Sequence, residues 1–196
     1  MAYSDETNVN LAKEEYENRN IGDSLRTNPG NEYVGVLSDA NDSRSKNGEQ
    51  IYTYTKTSGS NEVVSPDAPL SEREKVEEIT ILYRGSTNPL KVFSGEGMDV
   101  LRDWGANDIP MAGKIISGEK GATGQLEASS DYLKEMMEKY PKAKINIYAH
   151  SLGSMDAQYA LANVTDYSRI KSAHLYNGPN VYPILSHDQK VNVSAL

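Results

Sequence analysis

The sequence predicts an α/β domain with a mainly parallel sheet, flanking helices and an antiparallel hairpin on its N-terminal side. In the C-terminal half, apolar segments of strand length alternate with helical segments, which is the pattern of parallel βαβ units. The N-terminal half instead places two strand-like segments, 33–39 and 51–56, in succession with a polar turn between them. A length of 196 residues favours one domain, spanning 1–196.

The first predicted element is a helix over 4–20. Ser4 or Asp5 can cap its N-terminus, because both side chains offer an oxygen to the free backbone N–H groups of the first turn. Apolar side chains then recur at helical spacing between Val9 and Tyr16. These features predict that the chain enters the fold through an amphipathic helix.

The hairpin follows a segment, 20–31, that contains two glycines and a proline and predicts a loop or a second short helix. Residues 33–39 and 51–56 are rich in aromatic and β-branched side chains, as strands are. The dipeptide Asn47-Gly48 between them is typical of a tight hairpin turn. We therefore expect an antiparallel hairpin at an edge of the sheet.

The C-terminal half alternates strands and helices. Pro141 ends the helix that precedes it, because proline has no N–H to donate within a helix. Residues 190–196 show no pattern of a closing helix. The predicted elements are strands over 78–86, 145–149 and 170–176 and a helix over 126–140.

A strand–turn–helix junction at Ser151 is the segment most indicative of chemistry. Ala149 and Gly153, two residues before and after the serine, fit the small-x-Ser-x-Gly pattern of a nucleophile elbow. Both positions must be small because the strand and helix backbones nearly touch there, and alanine fits if its backbone is not left-handed. The alternative interpretation is an ordinary strand–helix junction with a serine cap.

Several separated segments resemble one protein family. They contain an aromatic-Arg-Gly-Ser motif, an Asp-Trp pair followed by a further aspartate, an Ala-His-Ser-Leu-Gly elbow and a Gly-Pro element after the next strand. Together they resemble the class 3 lipases, the α/β-hydrolases typified by fungal triacylglycerol lipases. The resemblance covers roughly 78–180, and the segments that carry it are 81–86, 103–108, 149–153 and 175–180.

The resemblance implies a role for each matching residue. Ser151 is the expected nucleophile. The backbone N–H of Leu152 and the N–H and hydroxyl of Ser86 are the expected oxyanion-hole donors. Ala149, His150 and Gly153 are expected to support the elbow, with His150 not acting as the base.

The region 88–116 corresponds to the position of a lid in such lipases. Its residues Trp104, Met98 and Leu101 could line an acyl groove, or they could be ordinary core side chains. The sequence leaves both interpretations open.

The acid and the base of a catalytic triad are harder to find. The chain has three histidines, His150, His174 and His187, and only His187 follows Ser151 in the chain order that the fold requires while lying outside a strand. It comes too early in the chain for the usual arrangement. We therefore expect an incomplete hydrolase domain whose acid and base lie beyond Leu196, on a C-terminal fragment or a second polypeptide.

Composition narrows the classes of partner. The net charge is −8, which argues against binding nucleic acid or anionic lipid through charge. There is no cysteine, and no segment of the sequence has the length of a membrane span. No metal or cofactor is expected.

The N-terminus has neither the basic start nor the apolar run of a Sec signal peptide. In this it is similar to a Gram-positive bacterial lipase effector that a specialised system exports. We expect secretion by a non-Sec route, with a cytoplasmic location as the alternative.

The leading prediction is thus a serine hydrolase of carboxylic esters, a lipase acting on triacylglycerol, phospholipid or another acyl ester. A catalytically inactive hydrolase-like binding or targeting module is one alternative. A thioesterase or peptidase that uses the same elbow is another.

Overall fold

A computed structural model describes residues 3–43, 49–84 and 124–194. The helices are α1 (Asp5–Lys13), α2 (Leu70–Arg73), α3 (Gly124–Lys139), α4 (Leu152–Ala162) and α5 (His187–Ser194). The strands are β1 (Ser24–Arg26), β2 (Tyr33–Ser43), β3 (Glu49–Thr57), β4 (Val76–Tyr83), β5 (Lys144–His150) and β6 (Ile170–Tyr176). Single 3-10 turns span Glu14–Tyr16, Tyr167–Arg169 and Tyr182–Ile184.

The six strands form one mixed sheet in the order β1-β2-β3-β4-β5-β6. The α/β class and the β2–β3 hairpin are confirmed. The prediction of a mainly parallel sheet is wrong for the described sheet as a whole: only β4–β5 and β5–β6 are parallel, and the other three pairings are antiparallel. Parallel neighbours need a long crossover, and only the C-terminal half of the described chain provides crossovers with helices of several turns.

Strand β1 lies in the segment 20–31 that was predicted as a loop or short helix. It has three residues and pairs antiparallel with β2, so the β2–β3 hairpin lies inside the sheet and not at its edge. Only Leu25 in the middle of β1 is buried. A strand of this length leaves no periodicity to detect, because it is stabilised by pairing with its neighbour and not by local preference.

The N-terminal helix is shorter than predicted. Ser4 is the cap, accepting a hydrogen bond from the Thr7 N–H at 3.2 Å, and α1 ends at Lys13. The chain then tightens into the turn Glu14–Tyr16. This turn carries Tyr16 to the end of β5, where the candidate site lies.

Helices cover both faces of the sheet. On one face, side chains of α3 and α4 pack over fully buried isoleucines of β4 and β5, each of which contributes roughly 1.5–3 kcal/mol of burial free energy. On the other face, Leu11 of α1 packs in a second cluster with Tyr52, Leu82 and Tyr148. The central strands β4 and β5 are therefore held rigidly from both sides.

The prediction that 190–196 shows no closing helix is wrong, because α5 runs to Ser194. Its start is a capping box. The Ser186 N–H donates to Gln189 Oε1 at 2.7 Å, and the Gln189 N–H donates to Ser186 Oγ at 3.3 Å. Val193 packs against the third apolar cluster. The cap signal Ser-x-x-Gln was present in the sequence but stood before a segment with little apolar periodicity.

Candidate active site

Ser151 sits in a strained turn between β5 and α4. Its backbone angles are φ 56° and ψ −127°, a conformation that side-chain-bearing residues rarely adopt. A helix cap has extended backbone and a side chain that accepts a hydrogen bond from the first turn. Ser151 has neither feature, since its side chain forms no cap hydrogen bond. The serine-cap interpretation is therefore excluded.

The small neighbours of Ser151 are required by close backbone approach. A Cβ atom added to Gly153 would lie 2.1 Å from the carbonyl oxygen of Tyr83, at the end of β4. Ala149 is fully buried and its φ is not positive, so alanine meets the condition set for this position. A Cβ on Gly178 would lie 2.2 Å from Ser154 Cβ. The first two positions follow the predicted pattern, while the requirement for Gly178 was not foreseen.

The end of β6 holds the turn in place. The Ser151 N–H donates to the carbonyl oxygen of Tyr176 at 2.9 Å, and Ser154 Oγ donates to the same oxygen at 2.9 Å. The Ser154 N–H donates to the Ser151 carbonyl at 3.0 Å. The backbone of the elbow is thus fixed by direct hydrogen bonds, which stabilise a conformation that would cost about 1–3 kcal/mol on its own.

The Ser151 hydroxyl is buried and unpaired. The residue is only 2% exposed, and its Oγ has no hydrogen-bond partner among the described residues. A buried hydroxyl without a partner costs about 1–3 kcal/mol. Leu152 begins α4, so its N–H has no carbonyl partner within the helix.

His150 is buried and forms no hydrogen bond with the Ser151 hydroxyl. Its Nδ1 lies 3.1 Å from the Tyr16 hydroxyl, and its Nε2 lies 3.2 Å from the side-chain nitrogen of Asn177. Burial and then the charge of Lys13 lower the pKa of His150, so the ring is neutral. Both ring nitrogens are engaged by other groups, and neither is available to remove a proton from Ser151.

The other two histidines do not bond to the Ser151 hydroxyl either. His174 on β6 stacks on Tyr148, with ring centroids 5.1 Å apart and planes 16° apart. His187 begins α5 and is exposed. The three histidines of the sequence all lie in the described part of the chain, and none bonds to Ser151 Oγ. The expectation that His187 is a poor candidate for the base agrees with its position.

Some predicted site residues lie outside the described residues. These are the oxyanion donor Ser86, the groove residues Trp104, Met98 and Leu101, and the whole lid region 88–116. Within the described ranges, no group of acidic, histidine or cysteine side chains is arranged to hold a metal ion. No helix in those same ranges is long and apolar enough to cross a membrane.

A polar cleft of about 790 Å³ lies elsewhere on the sheet, on the face that α1 covers only in part. Glu78, Asn146 and Ser172 form a hydrogen-bonded row along its wall, with Lys171 paired to Glu78 at 2.7 Å. These residues lie toward the N-terminal ends of the parallel strands, whereas Ser151 follows the C-terminal end of β5. The cleft is therefore separate from the elbow, and no sequence pattern predicts it.

Tyr16 and Asn177 are the residues near the elbow that sequence reasoning missed. Tyr16 had been predicted only as an apolar position of the first helix, and 134 residues separate it from His150. Asn177 has a left-handed backbone with φ 52°, which asparagine tolerates better than most residues. Local sequence patterns hold no information on such a distant contact.

Comparison with protein-family models, with curated proteins and with solved structures gives no match in any of the three. What the chain can do must therefore be inferred from the strained serine turn and from the groups around it.

Proposed function

We propose that the chain is a serine hydrolase domain that acts on carboxylic esters, with Ser151 as the nucleophile. The observation that carries the proposal is the backbone of Ser151, at φ 56° and ψ −127° between β5 and α4. In a nucleophile elbow, a strained turn of this kind directs the serine hydroxyl toward the first N–H groups of the following helix. No structural need of the fold explains such a conformation at a serine, because glycine adopts it at lower cost.

The chemistry would follow acyl transfer. Ser151 Oγ attacks the ester carbonyl carbon while its proton passes to a general base. The carbonyl oxygen becomes an oxyanion that accepts a hydrogen bond from the Leu152 N–H and, in this proposal, from Ser86. Collapse releases the alcohol, which takes up the proton, and water then hydrolyses the acyl-enzyme. Loss of one oxyanion donor typically costs about 10²–10³ in kcat.

The general base is not one of the three histidines, given their contacts. We infer that the base and its acid reach the elbow on a further segment or a second polypeptide. Strand β6 has one neighbour, β5, among the described strands, so its other edge is available for pairing with an added strand. Such a strand would end close to the C-terminal edge of the sheet, where Ser151 lies.

A lipid is the proposed substrate class, on the basis of the resemblance to class 3 lipases. Hydrolysis of nitrophenyl esters with short and long acyl chains tests both the reaction and the preference. For the chain together with the segment or polypeptide that supplies the base, the proposal predicts turnover that increases with acyl-chain length and falls by more than about 10³-fold in Ser151→Ala. Ser130→Ala is the matched control, because Ser130 is another buried serine whose hydroxyl has no partner among the described residues. Equal activity in Ser151→Ala and the wild type would refute the assignment.

A second candidate is an inactive hydrolase-like module that binds or targets an acyl ester. The unpaired Ser151 hydroxyl, with no imidazole directed at it, favours this candidate. It predicts lipid binding without turnover, and binding that is unchanged in Ser151→Ala. The enzymatic proposal predicts instead that Ser151→Ala retains binding but loses all product formation.

A further inference from the structure

The N-terminal segment reaches β5 through two hydrogen bonds on the same face of that strand. The Tyr148 hydroxyl donates to Asn8 Oδ1 of α1 at 3.2 Å. Two residues further along β5, His150 Nδ1 meets the Tyr16 hydroxyl at 3.1 Å. The ring of Tyr16 also contacts the imidazole edge-on, with centroids 5.9 Å apart and planes at 76°. The second contact lies directly beside the elbow.

The hydrogen-bond partners define which ring nitrogen of His150 carries the proton. The side-chain nitrogen of Asn177 can only donate, so the His150 Nε2 that faces it must accept. The proton of a neutral imidazole then sits on Nδ1, which donates to the Tyr16 oxygen. Burial, and then the charge of Glu15 and a hydrogen bond to its carboxylate, raise the pKa of Tyr16. Asn177, His150, Tyr16 and Glu15 thus form a hydrogen-bonded series in which every donor faces an acceptor.

The series ends at the strand that holds the elbow. Asn177 directly follows Tyr176, whose carbonyl accepts hydrogen bonds from the Ser151 N–H and from Ser154 Oγ. His150 directly precedes Ser151. A change in the orientation of the imidazole would thus act on the strained turn from both sides, through the adjacent peptide bond and through the end of β6.

We propose that Tyr16 is a positioning residue for the Ser151 elbow, which it holds by accepting a hydrogen bond from the His150 Nδ1–H while Asn177 donates to Nε2. The inference rests on the proposed function only in its consequence for reactivity. The tautomer and the backbone of the elbow can be observed whether or not Ser151 reacts.

The test is nitrogen-15 NMR of the full chain. Long-range proton–nitrogen spectra distinguish a protonated ring nitrogen from an unprotonated one, and His174→Gln and His187→Gln variants assign the other two histidines. The proposal predicts an unprotonated Nε2 and a protonated Nδ1 for His150 in the wild type. In Tyr16→Phe the Nδ1–H loses its acceptor, so the His150 Nδ1 resonance should shift while Nε2, which still faces the Asn177 donor, stays unprotonated. The amide resonances of Ser151 and Leu152 should also move. A protonated Nε2 in the wild type would overturn the proposal.

Two further variants separate positioning from folding. Tyr54→Phe removes the hydroxyl of another buried tyrosine, one that has no hydrogen-bond partner among the described residues, and should leave all these resonances unchanged. Asn177→Gly keeps the left-handed backbone and removes the amide donor, so it should populate the Nε2–H tautomer. If Tyr16→Phe and Asn177→Gly both leave the His150 nitrogens as in the wild type, the series does not exist.

The reaction rate of Ser151 tests whether the positioning by Tyr16 matters for function. The rate of fluorophosphonate labelling of Ser151 should fall by about tenfold in Tyr16→Phe, less than the 10²-fold cost of a 1 Å displacement. With an ester substrate, kcat should fall while KM stays constant, because Tyr16 acts through His150. If the wild type is not labelled even together with the segment or polypeptide that supplies the base, the proposed function fails, while the NMR result still decides the tautomer. A labelled protein whose Tyr16→Phe variant reacts at the wild-type rate would refute the positioning role.

Discussion

Replacing Ser151 by glycine should stabilise the protein more than replacing it by alanine. Both changes remove a buried hydroxyl that has no partner among the described residues. Only glycine also relieves the backbone, because the conformation at φ 56° and ψ −127° opposes any residue with a Cβ atom. The difference between the two variants therefore isolates the strain in the turn.

The magnitude follows from two opposing contributions. Strain at such a position costs about 1–3 kcal/mol. Glycine loses more chain entropy on folding than alanine does, which offsets about 0.4–1 kcal/mol of the gain. We expect Ser151→Gly to exceed Ser151→Ala by about 1 kcal/mol, which is about 2–4 °C in Tm for a chain of this size.

Thermal unfolding of Ser151→Gly and Ser151→Ala measures this difference, and Ser130→Gly and Ser130→Ala are the matched control pair. Ser130 lies within α3, is buried, and likewise has a hydroxyl without a partner in the described ranges. There the order should reverse, with glycine about 1 kcal/mol less stable than alanine, because glycine weakens an ordinary helix. The reasoning is refuted if glycine is also the less stable substitution at Ser151.

Three other outcomes are expected. Gly153→Ala should lower Tm by about 6–12 °C, because about 3 kcal/mol is lost to overpacking against the Tyr83 backbone. Gly124→Ala is the control, since Gly124 also lies in the first turn of a helix but has no atom of the described residues within 4 Å of an added Cβ, and it should not lower Tm. Because the pKa of His150 is lowered on folding by burial and by Lys13, the neutral ring adds stability that is present above about pH 6.5 and is lost as the pH falls through the folded-state pKa. Denaturant unfolding at pH 7 and pH 5 should therefore show a smaller loss in His150→Asn than in the wild type. Ser186→Ala should destabilise α5 by about 1 kcal/mol through loss of its capping box, seen as faster amide exchange in that helix and not in α3.

The elements that the sequence predicts well are those specified by their own residues. Alternating isoleucines mark β4 and β5, and Pro141 marks the end of the helix before β5. The elbow belongs to this group as well. Residues 149 and 153 are small because β4, β5 and α4 approach closely at the turn. Any sequence that forms this turn must have small residues at these positions.

The elements that the sequence predicts poorly depend on partners distant in the chain. The three-residue β1 exists because β2 offers it a pairing edge, and its presence moves the hairpin to the interior of the sheet. The first three strand pairings are antiparallel. This direction depends on the length of the connections between the strands and not on the composition of those connections. The contact between Tyr16 and His150 joins residues that are 134 positions apart in the chain, so no local pattern predicts it.

The nucleophile itself is the central claim, and fluorophosphonate labelling followed by peptide mapping tests it most directly. The probe bonds covalently to an activated serine, so the mass of the modified peptide identifies the residue. The account predicts one adduct, on Ser151, that is absent in Ser151→Ala and retained in Ser130→Ala. An adduct on another serine, or none in a protein shown by NMR to hold the elbow conformation together with the chain that completes it, would contradict the account.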